Sequence, residues 1–142
     1  MQIFVPYKEP LEVAKCLDRR RLNKQIIETR QIINAITGVS AAWFNHPVVH
    51  MYRNHLDFLS NYERCLYAYF SGSNETALMF SNEAVRCLPE FINDDLCNQH
   101  KRRLYTKDNV HYKQFSEYGE SLENWYIIGG ELIKYNNGKK VK

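Results

Sequence analysis

Residues 47–69, PVVHMYRNHLDFLSNYERCLYAY, decide the fold. Val48, Tyr52, His55, Leu59, Tyr62, Leu66 and Tyr69 recur at alternating spacings of four and three, and Met51, Phe58 and Cys65 widen the stripe. Such a pattern is the apolar face of a helix, and its width marks the central element of a core. Pro47 is suited to the first helical turn, and Ser71, Gly72, Ser73 and Asn74 break the pattern at the other end.

Working toward the N-terminus, Leu22, Ile26, Ile33 and Ile36 predict a second helix from Arg20 to Ile36, with Gly38 placed to end it. Pro10 opens a shorter one reaching Cys16 and Leu17. Toward the C-terminus a helix is expected from Glu75 to Leu88, stopped before Pro89. Asp94 or Asp95 can cap another through His100–Tyr105, and Asp108 a short segment toward Phe115. Residues 125–128 and 131–135 flank Gly129 and Gly130, whose tolerance of positive φ suits a tight hairpin turn. Asn137, Gly138, Lys139 and Lys140 read as a basic tail. The expected fold is all-α: one compact helical domain over residues 1–142 with a small C-terminal β-hairpin. A chain of 142 residues buries roughly 70% of its unfolded surface, enough for a core without disulfides or metal.

No apolar run approaches the ~20 residues of a membrane span, and the N-terminal residues lack the blocks of a signal peptide, so a cytoplasmic, monomeric protein is expected. Cys16, Cys65, Cys87 and Cys97 include no closely spaced pair, which favours reduced thiols over a metal or iron–sulfur site. His46 and His50 are one turn apart, but Pro47 takes His46 out of the regular helix and no third ligand adjoins them. No metal and no cofactor is expected. His46 itself either caps the central helix or touches a ligand.

Nineteen Lys and Arg against sixteen Asp and Glu leave a formal charge of only +3, yet the cations are clustered. Arg19, Arg20, Arg21, Lys24 and Arg30 sit at or within the second helix. Lys101, Arg102, Arg103 and Lys107 form a second group with His100, and Lys139, Lys140 and Lys142 a third. Beside ten Tyr and seven Phe, two such groups on one face would neutralise phosphates and stack bases; otherwise they are a solvated surface. Glu28 lies four residues after Lys24 and seven after Arg21, near one helical face. A carboxylate so placed either makes salt bridges or performs acid–base work.

Four segments together resemble the pyrimidine dimer DNA glycosylase family, the phage-type endonuclease V enzymes and their bacterial relatives. They are residues 1–7, MQIFVPY; Leu17 and Asp18 followed by Arg21, Leu22, Lys24, Gln25 and Glu28; Trp43 with Asn45 to Val49, Met51 and Tyr52; and His100, Lys101, Arg102, Leu104, Lys107, Asp108, Tyr112 and Phe115. The resemblance covers residues 1 to about 115, and the pattern is closer to the bacterial branch. It implies a mainly helical domain that cleaves the glycosidic bond of a UV-damaged pyrimidine in double-stranded DNA and then breaks the strand by β-elimination. The implied nucleophile is an N-terminal α-amine: that of Met1, or of Gln2 if Met1 is removed. The implied carboxylate is Glu28 if a loop insertion precedes Arg21; an ungapped alignment puts Asn23 there instead. The resemblance and the charge pattern together nominate Arg20, Arg21, Lys24, Asn45, His46, His100, Lys101, Arg102, Lys107 and Tyr112 as nucleic-acid contacts. Two alternatives stand beside a glycosylase with AP-lyase activity: a nucleic-acid-binding module of the same fold without chemistry, and an enzyme acting on another lesion or modified nucleotide.

Overall fold

The computed structural model describes residues 1–141. Six α-helices are followed by a small antiparallel sheet: α1 Pro10–Cys16, α2 Arg19–Thr37, α3 Pro47–Tyr52, α4 Leu56–Phe70, α5 Asn74–Arg86 and α6 Asp94–Lys107, then a 3-10 turn over Lys113–Tyr118. Strands β1 Glu123–Ile128, β2 Glu131–Asn136 and β3 Lys139–Lys140 complete the chain in the order β1-β2-β3. No helix among the described residues is long and apolar enough to cross a membrane.

Local chemistry explains most of the boundaries. The Asp18 carboxylate accepts from the Arg21 amide at the start of α2, and Gly38 ends the helix in the left-handed conformation at φ 81°. Pro10 and Pro47 occupy first-turn positions of α1 and α3. At α6 the cap is Asn93, whose side chain accepts from Leu96, and Asp94 and Asp95 instead fill the first turn, where carboxylates favour the helix dipole.

Two expectations are corrected. The stripe from Pro47 to Tyr69 is not one helix. The chain leaves helical geometry after Tyr52 and re-enters at Leu56, with His55 at φ −129° and ψ 38° as the new cap. Tyr52, Phe58, Leu59, Tyr62 and Leu66 are nonetheless all buried, because the break preserves the phase of the apolar face. The second correction concerns residues 137–140. Asn137 at φ 52° and Gly138 at φ 76° form a tight turn, and Lys139 and Lys140 pair with Asn136 and Tyr135 as a third strand.

The N-terminal residues run through the middle of the molecule. Gln2, Ile3, Phe4 and Val5 are buried, yet they join no sheet. Several backbone groups of residues 1–5 are satisfied by side chains from four elements. Tyr126 of β1 donates to the Met1 carbonyl (3.0 Å). Gln25 of α2 donates to the Gln2 carbonyl and accepts from the Phe4 amide, both at 2.8 Å. Tyr62 of α4 donates to the Phe4 carbonyl (2.6 Å), and Nδ1 of His100 on α6 accepts from the Val5 amide (2.7 Å). Buried backbone polar groups need partners, and here side chains of three helices and one strand supply what the backbone of a neighbouring strand would otherwise provide.

Candidate active site

This threading brings Met1 and its α-amine to an open cleft. Helix α2 contributes Arg21, Lys24 and Glu28, spaced three and four residues apart and so on one face. Helix α6 contributes Arg103 and Lys107, again four apart, and β1 contributes Asn124. Gln2 and Phe4 complete the wall. Four cations and an amine therefore surround a single carboxylate.

The site is held by contacts outside it. Arg103 donates through Nε to the Asn124 side chain (3.0 Å) and through Nη1 to the Ser121 carbonyl (3.1 Å), which ties α6 to the start of β1. Arg21 lies 3.9 Å from the Asp18 carboxylate, with its guanidinium 5.9 Å from the Phe4 ring centre. Asp18 also accepts hydrogen bonds from the Tyr112 hydroxyl and the Arg21 amide, which hold its carboxyl below the usual range against the opposing effect of burial. Lys24 Nζ is 3.9 Å from Glu28 Oε1, a long contact for an ion pair. The Lys24 side chain is mostly exposed and that of Glu28 mostly covered. Glu28 thus faces the cleft without a tight partner.

Electrostatics favours a neutral amine. Partial burial lowers the pKa of the Met1 amine below its ordinary value, and Lys24, Lys107 and Arg103 lower it further, while Glu28 opposes them. The Lys107 pKa is lowered in the same way, by burial and then by Arg103, Arg21 and Lys24. On the far side of the amine, burial and then the amine and His50 push His46 down to about 4, so its imidazole is neutral at pH 7. Its Nδ1 accepts from the Val48 amide at 3.1 Å, making His46 the cap of α3, and its ring stands edge-on to Tyr126 with centres 5.8 Å apart.

Of the residues nominated from the sequence, Met1, Gln2, Arg21, Lys24, Glu28 and Lys107 line this cleft. Asn23 is exposed and does not, so only Glu28 offers a carboxylate there. Arg20 and Asn45 are exposed outside it. His100 and Tyr112, expected to touch nucleic acid, are corrected: both are buried, His100 beneath the N-terminal segment and Tyr112 on the Asp18 cap of α2. Lys101 and Arg102 face another way. The Lys101 ammonium lies between the Tyr7 and Tyr118 rings, at 5.0 and 4.6 Å, and Arg102 donates to the Tyr118 carbonyl and the Gln99 side chain. Arg103, which the sequence marks only as one of a basic group, and Asn124, which it does not mark, belong to the cleft without being among the nominated contacts. The phase of α6 supplies the missing signal: buried Leu104 and His100 fix its inner face, and Arg103 and Lys107 border it together.

No group of three or more potential metal-ligating side chains occurs among the described residues. The four thiols are free; burial raises Cys16 and Cys65 to about 12 and Cys97 to about 11, which leaves them protonated and unreactive. Of the amines lining the cleft, those of Met1 and Lys107 both have lowered pKa values, and that of Met1 belongs to the backbone itself.

Residues 1–69 match the family model of pyrimidine dimer DNA glycosylase. The matched stretch carries the α2 side of the cleft, Met1 and Gln2 through Arg21, Lys24 and Glu28, together with His46. Arg103, Lys107 and Asn124, which close its other side, lie beyond the stretch similar to the glycosylase family. No curated protein and no solved structure matches the chain.

Proposed function

We propose that this protein is a DNA glycosylase with AP-lyase activity on UV-damaged double-stranded DNA, acting as a monomer through the α-amine of Met1. The observation that carries this reading is the convergence of that amine and Glu28 in one cation-lined cleft, within reach of the stretch similar to pyrimidine dimer DNA glycosylases.

The chemistry follows from the groups present. The neutral amine attacks C1′ of the damaged nucleotide with its lone pair, and the C1′–N bond to the base breaks, the pair leaving with the base. One proton lost from the amine nitrogen goes to the departing base. The nitrogen lone pair then opens the sugar ring to an iminium, and O4′ takes up a proton. Glu28 stabilises the cationic sugar and iminium and relays protons, and it accepts the C2′ proton when the 3′ phosphate is eliminated. Arg21, Lys24, Arg103 and Lys107 hold the flanking phosphates. A distorted dimer is cheaper to unstack than intact sequence, so selectivity for damage requires no base-by-base readout.

Borohydride reduces such an iminium to a stable amine. Incubation with abasic or dimer-containing duplex is expected to yield a covalent complex whose modified peptide begins with Met1. An intact N-terminus with no trapped complex overturns the lyase assignment.

A further inference from the structure

The loop joining α2 to α3 holds the one strained large side chain among the described residues. Trp43 has φ 66°, a left-handed conformation that bulky residues avoid, and its side chain is about half exposed. The turn around it is tied down. The His46 amide donates to the Trp43 carbonyl (2.9 Å) and the Phe44 amide to the Ala41 carbonyl (3.4 Å). Arg53 donates to the Phe44 carbonyl (3.3 Å) and covers the Phe44 ring at 4.8 Å. Phe44 is thus occupied by a cation, while the Trp43 indole pairs edge-on with the ring of His46, their centres 6.0 Å apart.

That neighbour places the indole. His46 stands against Tyr126, whose hydroxyl holds the Met1 carbonyl, so a relay of two ring contacts and one hydrogen bond links the tryptophan to the residue that carries the amine. Strained backbone persists where the surroundings over-determine it, and such positions cluster at binding sites. A nucleotide drawn into the cleft leaves a gap in the duplex, bounded by two bases that have lost a stacking partner. A flat, half-exposed ring on a tied-down loop is the shape that fills it.

We propose that Trp43 is a stacking wedge that enters the base stack of duplex DNA where a nucleotide has been extruded into the cleft, making it a specificity-determining residue for duplex over single-stranded substrate. The proposal rests on the DNA-lyase reading for its cleft, and two measurements separate their fates. In the first, borohydride trapping is compared on one abasic sequence presented as duplex and as single strand. Trp43→Ala is expected to slow duplex trapping at least tenfold and single-strand trapping less than twofold, with Trp43→Phe recovering most of the loss; equal loss on both strands, or none on duplex, overturns the wedge. In the second, 2-aminopurine beside a tetrahydrofuran abasic analogue, which cannot form an iminium, reports stacking without chemistry. Its fluorescence should change on binding the native protein and not on binding Trp43→Ala. Identical responses overturn the wedge even if trapping succeeds, whereas a native-only response upholds it even if no iminium forms.

Discussion

Helices α2 and α6 both present a run of cations, Arg19–Arg20–Arg21–Lys24 in one and Lys101–Arg102–Arg103–Lys107 in the other, and the two runs are used differently. In α2 the inward pair, Arg21 and Lys24, shares its face with Glu28, while Arg19 lies over the Phe70 ring at 4.0 Å and Arg20 is exposed. In α6 only Arg103 and Lys107 reach the cleft; Lys101 and Arg102 brace the segment around Tyr118, and His100 is the buried anchor beneath them. Equal charge density therefore has unequal chemical meaning. The phase of the helix assigns each cation to the cleft or to the scaffold.

The largest expected effect tests the one acid on α2. Glu28→Gln keeps the shape of the side chain and should lower strand cleavage by about 10²–10⁴-fold with duplex affinity largely retained. Native-like turnover in single-turnover assays would remove α2 from the chemistry.

On α6, His100 tests burial against contact. Its pKa is pushed down to about 3 by burial and by Arg103, against an unfolded value near 6.5, and its Nε2 has no partner among the described residues. The stability tied to its neutral form is complete above about pH 6.5 and is lost as pH falls toward 3, approaching roughly 5 kcal/mol. Urea unfolding at a series of pH values should show this decline, and a flat profile across that window would contradict the buried, Val5-bound imidazole.

The division within α6 is sharpened by two neutral substitutions. Lys107→Met should weaken duplex binding about tenfold and reduce the slope of log affinity against log salt by about one, whereas Lys101→Met should leave that slope unchanged. The reverse ranking would exchange the roles assigned to the two lysines. The smallest effect concerns the amine. Trapping should rise with pH through a midpoint below the ordinary ~8 of an α-amine. Lys24→Met removes a charge that lowers the amine pKa and frees Glu28, which raises it, so the midpoint should move a few tenths of a unit toward alkaline pH. An acid shift would show that Lys24 acts on the amine in the opposite sense.

Much of this was legible where side-chain chemistry is local. Pro10, Gly38, Pro47 and the Gly129–Gly130 turn mark boundaries through φ alone, and the four-and-three spacing of Leu59, Tyr62 and Leu66 marks a buried face. The break at Arg53–His55 was hidden because the apolar stripe continues across it. The third strand was hidden because Lys139 and Lys140 are polar on both faces and only pairing distinguishes them from a tail. In the site, the link from Glu28 to Arg21 and Lys24 follows from spacing within one helix. Periodicity puts Arg103 and Lys107 on one border of α6, but that this border meets the amine follows from how α6 packs beneath residues 1–5, a contact between segments about 95 residues apart.

That packing also fixes what the site depends on. The backbone leading to the amine is gripped by Gln25, Tyr62, His100 and Tyr126, and the outermost two grips are 101 positions apart in the chain. Holding the amine in place thus requires contacts spread over most of the chain, so the proposed iminium formation on an abasic strand should serve as a gauge of global assembly, falling in step with cooperative unfolding and not with any single helix.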